Sequence, residues 1–443
     1  MRIAIVGSGI SGLAAAWLLQ RDHDVTLFES GKYLGGHTNT VDVTLEGVTH
    51  GVDTGFLVFN RATYPNLVSL FESLRVPVAP SAMTFSVAMQ DPAIEWAGTS
   101  LDSLFAQRSN LVRPGFLRMV RDVFRFNREA AAWAGRLDAG DQAPVTSVGA
   151  FLAEGRYSRE FRDWYLMPMA AAIWSCPTQL MFDYPFASFA RFFRNHGLLE
   201  VVDRPQWFTV AGGAREYVKR LSATLRDVRL ESQVVRARRS STGVDITVRA
   251  GQALHHKRFD AMVLACHGDQ ALRILGEDAS PAETGVLSAI PYQRNRAVLH
   301  TDESLLPSNR RVWSAWNYST GPSALDGRPV SVHYLINRLQ PLPFKQPVIV
   351  SLNPHREPGA HTVIGEFDYE HPVFAVGAEA AQARLPSIQG LRHTWFCGAW
   401  TRFGFHEDGL LSALAVARAF GIEAPWAAAS PAAAPASALK LAA

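Results

Sequence analysis

Three glycines spaced as Gly7-x-Gly9-x-x-Gly12 follow the apolar run Ile3-Ala4-Ile5-Val6, and Glu29 lies 22 residues beyond Gly7, after a second apolar run, Val25-Thr26-Leu27-Phe28. Residues of these types at these intervals hold a dinucleotide. Gly7 permits a tight turn, Gly9 lets the backbone approach a pyrophosphate, and Gly12 lets helix and strand pack closely. The helix that opens at the loop, with Ser11 in its first turn, presents unpaired N–H groups to the anion, and Glu29 accepts from a ribose hydroxyl. Gly35-Gly36-His37 and Asp53-Thr54-Gly55 bring the chain back along the same pyrophosphate. His37 is the weaker element, because neutral imidazole holds phosphate less well than Arg does.

A second group of reactive side chains lies near the C-terminus. Gly398 follows a strand over 394–397, and Phe405-His406-Glu407-Asp408-Gly409 opens an apolar helix over 410–420. Such a helix end stabilises negative charge of the kind reduced flavin carries at N1. The same acids also suit capping residues that complement the helix dipole. His406 and Glu407 are the candidate polar partners at a flavin, with His371, Tyr369 and His196 as candidates for substrate orientation or proton transfer. His196 equally suits a hydrogen-bonded structural role.

The elements that must position these residues are discontinuous. The first motif requires a strand–helix–strand unit, and strands of the same character recur at 207–213, leading into a helix over 217–225, and at 228–236, 244–249, 259–266 and 394–397. The pattern predicts an α/β protein with a Rossmann-like dinucleotide-binding domain of glutathione-reductase type, assembled from residues 1–80, 205–290 and 380–426. An α+β substrate domain is inserted at 81–204 and 291–379. Residues 427–443, rich in Ala and Pro, read as a disordered tail.

Trp164, Tyr165, Met167, Met169, Trp174, Phe182, Tyr184, Phe186, Phe189, Phe192 and Phe193 form an aromatic and Met-rich set. It suits a hydrophobic core for most of its members, and for the others the lining of a tunnel for an acyl chain. An amphipathic helix is expected over 113–136, with Phe116, Val120, Phe124 and Ala131 on one side and Arg118, Arg121, Arg125 and Arg128 on another. It reads as a solvated face, or as a surface that docks on anionic lipid headgroups.

Composition narrows the classes. A net charge of +3 over 443 residues argues against a nucleic-acid binder, and only five of the 43 basic residues are Lys. Cys176, Cys266 and Cys397 are far apart and show no metal-ligand spacing, so neither zinc nor disulfide-redox chemistry is expected. A cytoplasmic location fits, with peripheral contact at the inner face of the membrane where the helix docks.

The segments GGHTNT, VDTGFLVFNRATYPN, MAAAIWSCP, RFFRNHGLL, RPQWFTVAGGAREYV, WNY, EFDYEHPVF and GFHEDG resemble the flavin amine-oxidase superfamily. Within it they are similar to bacterial FAD-binding proteins associated with cyclopropane-fatty-acid synthases and to the flavoprotein region of the plant synthases. The resemblance spans nearly all of residues 1–426. It implies non-covalently bound FAD contacted by Gly7, Gly9, Gly12, Glu29, Gly36, Val234 and Asp408; Ser11, His37, Gly398 and Gly409 complete the expected set. It also implies a lipid or other long apolar substrate, and a lipid methyltransferase as partner.

Two positions depart from the superfamily. His37 stands where many amine oxidases have Arg, and no lysine matches the one that commonly holds a water beside flavin N5; Lys345 is the only lysine of the second insertion. The expected reaction is hydride abstraction from an unsaturated or methyl-branched fatty acyl chain, ending in desaturation or double-bond isomerisation. Amine or porphyrinogen oxidation, and a non-catalytic role beside a cyclopropane-type methyltransferase, are the alternatives.

Overall fold

The computed structural model describes residues 1–138, 146–200, 204–321, 330–374 and 377–427. The tail expected over 427–443 therefore lies, from residue 428 on, outside the described residues.

Arg2–Val6 is the central strand of a five-stranded parallel sheet ordered Asp227–Arg229, Asp24–Phe28, Arg2–Val6, Ala261–Leu264, Thr394–Phe396. Ile3, Ile5, Leu27, Met262 and Leu264 are all fully buried, as a sheet covered on both faces requires. The Ala-rich helix Ile10–Leu19 is buried almost all round, and it packs beside the long helix His406–Ala419.

The stretch 228–236 is two strands rather than one. Glu231, at a positive φ of 48°, turns the chain between Asp227–Arg229 and Ser232–Ser240, and the latter joins an antiparallel sheet with Gly243–Ala250 and Ala253–Phe259. The last strand of that sheet is exposed along nearly its whole length and carries the polar run His255-His256-Lys257-Arg258, so no apolar alternation announces it.

A seven-stranded sheet is ordered Val363–Pro372, Tyr292–His300, Ile349–Leu352, Ser331–Leu335, Trp316–Thr320, Phe85–Met89, Ile94–Ala97. Phe85–Met89 pairs parallel to Trp316–Thr320, which welds two distant stretches of chain into one floor. Directly opposed residues share a face. Trp316 opposite Tyr334, and Ala297 opposite Leu352, therefore look one way, and His333 opposite Ser351 looks the other.

Most of the aromatic set is core. Phe126 sits at the centre of Phe151, Tyr157, Phe161, Phe186, Phe189 and Phe193, with ring centroids 5.4–6.4 Å away. The helix expected over 113–136 is present as Pro114–Asp138. Its buried stripe is Phe116, Met119, Phe126, Ala130 and Ala134, and Phe124 is 58% exposed. At about 100° per residue Phe124 lies roughly a third of a turn off that stripe, so its placement with Phe116 on the apolar side is corrected. Among the described residues no helix is long and apolar enough to cross a membrane.

Candidate active site

A cavity of about 960 Å³ runs from the first glycine loop to the exposed end of the helix Phe186–Asn195. Gly7, Gly9, Ser11, Glu29, Gly36, His37, Val234 and Gly398 line one part of it. Gly7 has φ +102°, and a Cβ on it would stand 2.8 Å from the Ala265 carbonyl oxygen; a Cβ on Gly12 would stand 1.8 Å from that of Gly7. Gly12 thus serves helix–loop packing and does not itself line the cavity. A Cβ on Gly9 meets nothing within 4 Å, so the space above Gly9 is open.

Glu29 sits at the end of its strand as expected. Its Oε2 accepts from Ser8 N (2.9 Å) and Ser8 Oγ (2.6 Å), and its Oε1 from Gly31 N (2.7 Å) and Ser30 Oγ (3.2 Å). A ribose diol has the same donor chemistry as the two serine hydroxyls, so Glu29 would be the residue that holds it.

Two helix N-termini converge here. Gly409 makes this possible, because a Cβ on it would fall 2.8 Å from Ile10 Cγ2 and 2.9 Å from Ser11 Oγ. Gly409 is therefore a packing residue and not a cavity residue, which corrects its assignment as a direct contact. The two acids beside it are corrected too. Glu407 accepts from Asn66 N (3.0 Å), Asn66 Nδ2 (2.8 Å) and Leu67 N (2.9 Å), capping the helix Pro65–Ser73. Asp408 accepts from Phe405 N at 3.0 Å and caps its own helix; burial pushes its carboxyl up to about 6. Neither lines the cavity, and a buried carboxylate on backbone N–H groups is the ordinary cap. Asp53 is likewise a buried hub, bonded to Thr40 Oγ1, Ala214 N and Gln340 Nε2, whereas Thr54 and Gly55 line the cavity.

The histidines divide by what fixes them. His406 stacks on Phe56 (centroids 3.7 Å apart), and its Nε2 meets Thr38 Oγ1 (3.0 Å) and Tyr217 OH (3.2 Å); burial, with His37 nearby, pushes it down to about 3. Tyr369 lines the cavity. Its hydroxyl is occupied by Asn39 Nδ2 (3.1 Å) and Thr54 Oγ1 (2.6 Å), and burial pushes it up to about 12, so it is no proton donor for a substrate.

A chain of amides sets the tautomer of His371. Arg296 N–H donates to Asn353 Oδ1, Asn353 Nδ2 to Asn295 Oδ1, and Asn295 Nδ2 to His371 Nδ1 (2.9 Å), which leaves the proton of His371 on Nε2. His196 is fixed the opposite way. Its Nδ1–H donates to Phe192 O (3.0 Å), so Nε2 is the lone-pair nitrogen, and burial pushes the ring down to about 4.

His37 stacks on Tyr369 and stands 5.2 Å from His371 and 6.2 Å from His267. Burial, and then His267, push it down to about 4, and its Nε2 is buried without a hydrogen-bond partner. The residues fit a dinucleotide flavin on these observations: an open space over Gly9, two helix N-termini meeting beside it, and an unsatisfied imidazole nitrogen on the returning loop. Gly7, Gly9, Ser11, Glu29, Gly36 and His37 would hold the adenosine and pyrophosphate part.

The remainder of the cavity includes a broad apolar wall. Met83, Ile173, Trp174, Phe192, Trp207 and Phe405 line it together with Trp316, Tyr334 and Leu352 from the large sheet. Of the eleven-residue aromatic and Met set only Trp174 and Phe192 reach it, so tunnel lining is the lesser use of that set. The sequence pattern does not single out Phe56, His267 or Tyr334, each an isolated ring that long-range folding brings to the wall. Among the described lining residues there is no lysine, and Ala297 and Leu352 occupy the sheet face that looks at the cavity.

A model of the flavin-containing amine oxidoreductase family matches residues 10–299. No curated protein matches the chain. Among solved structures the fold is similar to a CLA-producing fatty acid isomerase from P. acnes, at 17% identity and TM-score 0.66, covering 95% of this chain and 98% of that one. It is also similar to cyclohexylamine oxidase from Brevibacterium oxydans IH-35A, at 18% identity and TM-score 0.66 over 95% and 99% of the two chains. Putrescine oxidase bound to putrescine gives 14% identity and TM-score 0.66 over 95% and 99%. At these identities the likenesses establish the α/β fold.

Proposed function

The chain belongs to the family of flavin-containing amine oxidoreductases and is an FAD-dependent oxidoreductase, and from that premise we propose that its substrate is a long unsaturated or methyl-branched fatty acyl chain, desaturated or isomerised at a double bond. The observation that carries this reading is the wall beyond the dinucleotide part. The lining carboxylates of the whole cavity are Glu29, in the dinucleotide part, and Asp368 and Glu370, both on the edge strand Val363–Pro372. Glu29 is engaged by its own loop, and Glu370 lies 3.4 Å from His267 and 3.7 Å from Arg294. The stretches that supply Met83, Ile173, Trp207, Trp316 and Phe405 bring no acid that would hold an ammonium group. An apolar, aromatic wall with few polar groups suits a hydrocarbon chain.

Bound FAD supplies a hydride acceptor. The protein's own part is to exclude water and to handle the proton. His196 presents a neutral lone-pair nitrogen among Phe192, Trp207 and Phe405, and it takes the proton from the carbon next to the one that loses hydride. His371, protonated on Nε2, orients rather than accepts. Association with a cyclopropane-type lipid methyltransferase belongs to the same reading; it rests on the segment resemblance and is tested by co-purification of the two proteins.

The test is anaerobic mixing with phospholipids that carry unsaturated or methylated chains. Desaturation bleaches the visible flavin absorbance. Isomerisation leaves little bleaching and yields a lipid of unchanged mass with a shifted double bond. Rapid bleaching by alkylamines or polyamines, with lipids inert, would replace the acyl substrate by an amine. The isomerase outcome also matches the activity printed for the P. acnes neighbour.

A further inference from the structure

We propose that the outer face of the helix Pro114–Asp138, with the turn before it, docks on an anionic phospholipid bilayer. Leu117, Arg121, Phe124 and Arg128 recur at intervals of four, three and four residues, so they form one stripe along the helix. All four are exposed, Leu117 by 46% and Phe124 by 58%. Leu111 (49%) and Val112 (80%) extend the apolar part past the helix start. Four large apolar side chains are thus in water within fourteen consecutive residues, interleaved with guanidinium groups.

The acids nearby are already engaged. Glu160 pairs with Arg118, Glu129 accepts from Tyr157 OH at 2.6 Å, and Asp122 is buried and accepts from Ser158 N at 2.9 Å. Arg125 is no part of the stripe, because its guanidinium lies 3.8 Å over the Tyr157 ring. Arg121 touches Asp122 at 3.3 Å yet keeps 72% of its side chain exposed. The stripe therefore presents apolar anchors flanked by exposed guanidinium groups, the combination that inserts at a headgroup boundary. A second copy of the chain fits it poorly. A two-fold contact would set Arg121 and Arg128 against their own equivalents.

The proposal does not depend on the acyl-chain reading, and saturated chains separate the two. Full-length protein is sedimented with vesicles of saturated-chain phosphatidylcholine, with and without 30% phosphatidylglycerol, on the order of the anionic content that sustains such binding. Binding is expected only with phosphatidylglycerol and should fall as salt rises. Leu117→Ser with Phe124→Ser, and separately Arg121→Glu with Arg128→Glu, should each weaken it by roughly tenfold or more, with unchanged thermal melting. Absence of binding to phosphatidylglycerol vesicles, or equal binding to both compositions, overturns the proposal. Unchanged binding in both double variants does so as well. A concentration-dependent dimer that dissolves in the serine pair would assign the stripe to self-association instead.

Discussion

Gly409 stands so close to Ile10 that a single added methyl group would come within 2.8 Å of the Ile10 Cγ2. That contact holds two helix N-termini side by side at one wall of the cavity. Gly409→Ala should cost about 1–3 kcal/mol through overpacking and should lower flavin occupancy. Thermal melting of stripped protein and the ratio of visible to ultraviolet absorbance check the two effects.

Gly9 makes the complementary case. Its missing Cβ faces open space, and its φ of −63° suits any residue. Gly9→Val should therefore leave the stripped protein within about 1 kcal/mol of the parent, as surface changes do, while abolishing FAD uptake. Equilibrium denaturation and a flavin titration read these separately, and normal uptake would show that the loop does not carry the pyrophosphate.

Attachment of the flavin follows from the thiols. Cys397 is fully buried with its thiol raised by burial, and burial pushes Cys266 up to about 12, so neither is a ready nucleophile. Acid precipitation should leave FAD in the supernatant. Flavin in the pellet would point to a covalent bond.

On the far face of the large sheet, Ser351 Oγ bridges His300 Nε2 (2.7 Å) and His333 Nδ1 (2.6 Å), and His333 Nε2 reaches Ser319 Oγ (2.7 Å). Ser351→Ala strands two buried imidazole nitrogens, at about 1–3 kcal/mol each. A fall in the denaturation midpoint without loss of flavin is the expected result.

Acid should destabilise the protein. Burial holds His37, His196, His267 and His300 at about 4 and His333, His371 and His406 at about 3, below the ordinary 6.5. Below pH 6.5 the unfolded chain binds protons that the folded chain refuses, so stability present above 6.5 is lost as pH falls toward 3. Asp53, raised by burial to about 7, Asp408, raised to about 6, and Glu379 and Glu407, also raised by burial, act in the opposite sense, but they are four groups against seven. Urea midpoints should therefore drop steadily between pH 7 and pH 5.

The glycine loop and Glu29 were legible in the sequence because backbone sterics leave few substitutes at those positions. Glu407 and Asp408 were not. An acid at a helix start reads alike whether it caps or faces a ligand, and only Asn66, Leu67 and Phe405 decide between the two. Phe124 lies off the buried stripe by simple helical phase, and its exposure is settled only by which face packs. The break at Glu231 and the exposed strand Ala253–Phe259 carry no apolar alternation at all. The cavity wall was the least legible part. Trp316, Tyr334 and Phe405 meet through sheet register and long-range packing, to which local pattern is blind.

The parallel sheet also fixes an order of events in time. Ile3 pairs locally with Val25, but its other neighbour is Ala261, and Met262 in turn pairs with Thr394, so the strand Ala261–Leu264 waits for more than half of the polypeptide and the outer strand for nearly all of it. Parallel pairings of such long range form slowly. A nascent chain that has not yet reached residue 406 lacks the second helix N-terminus altogether, so it emerges from the ribosome with half a cradle. Cofactor capture is consequently a late step, and a chain stalled before residue 394 leaves one edge of the apolar strand Ala261–Leu264 open to whatever else is in reach.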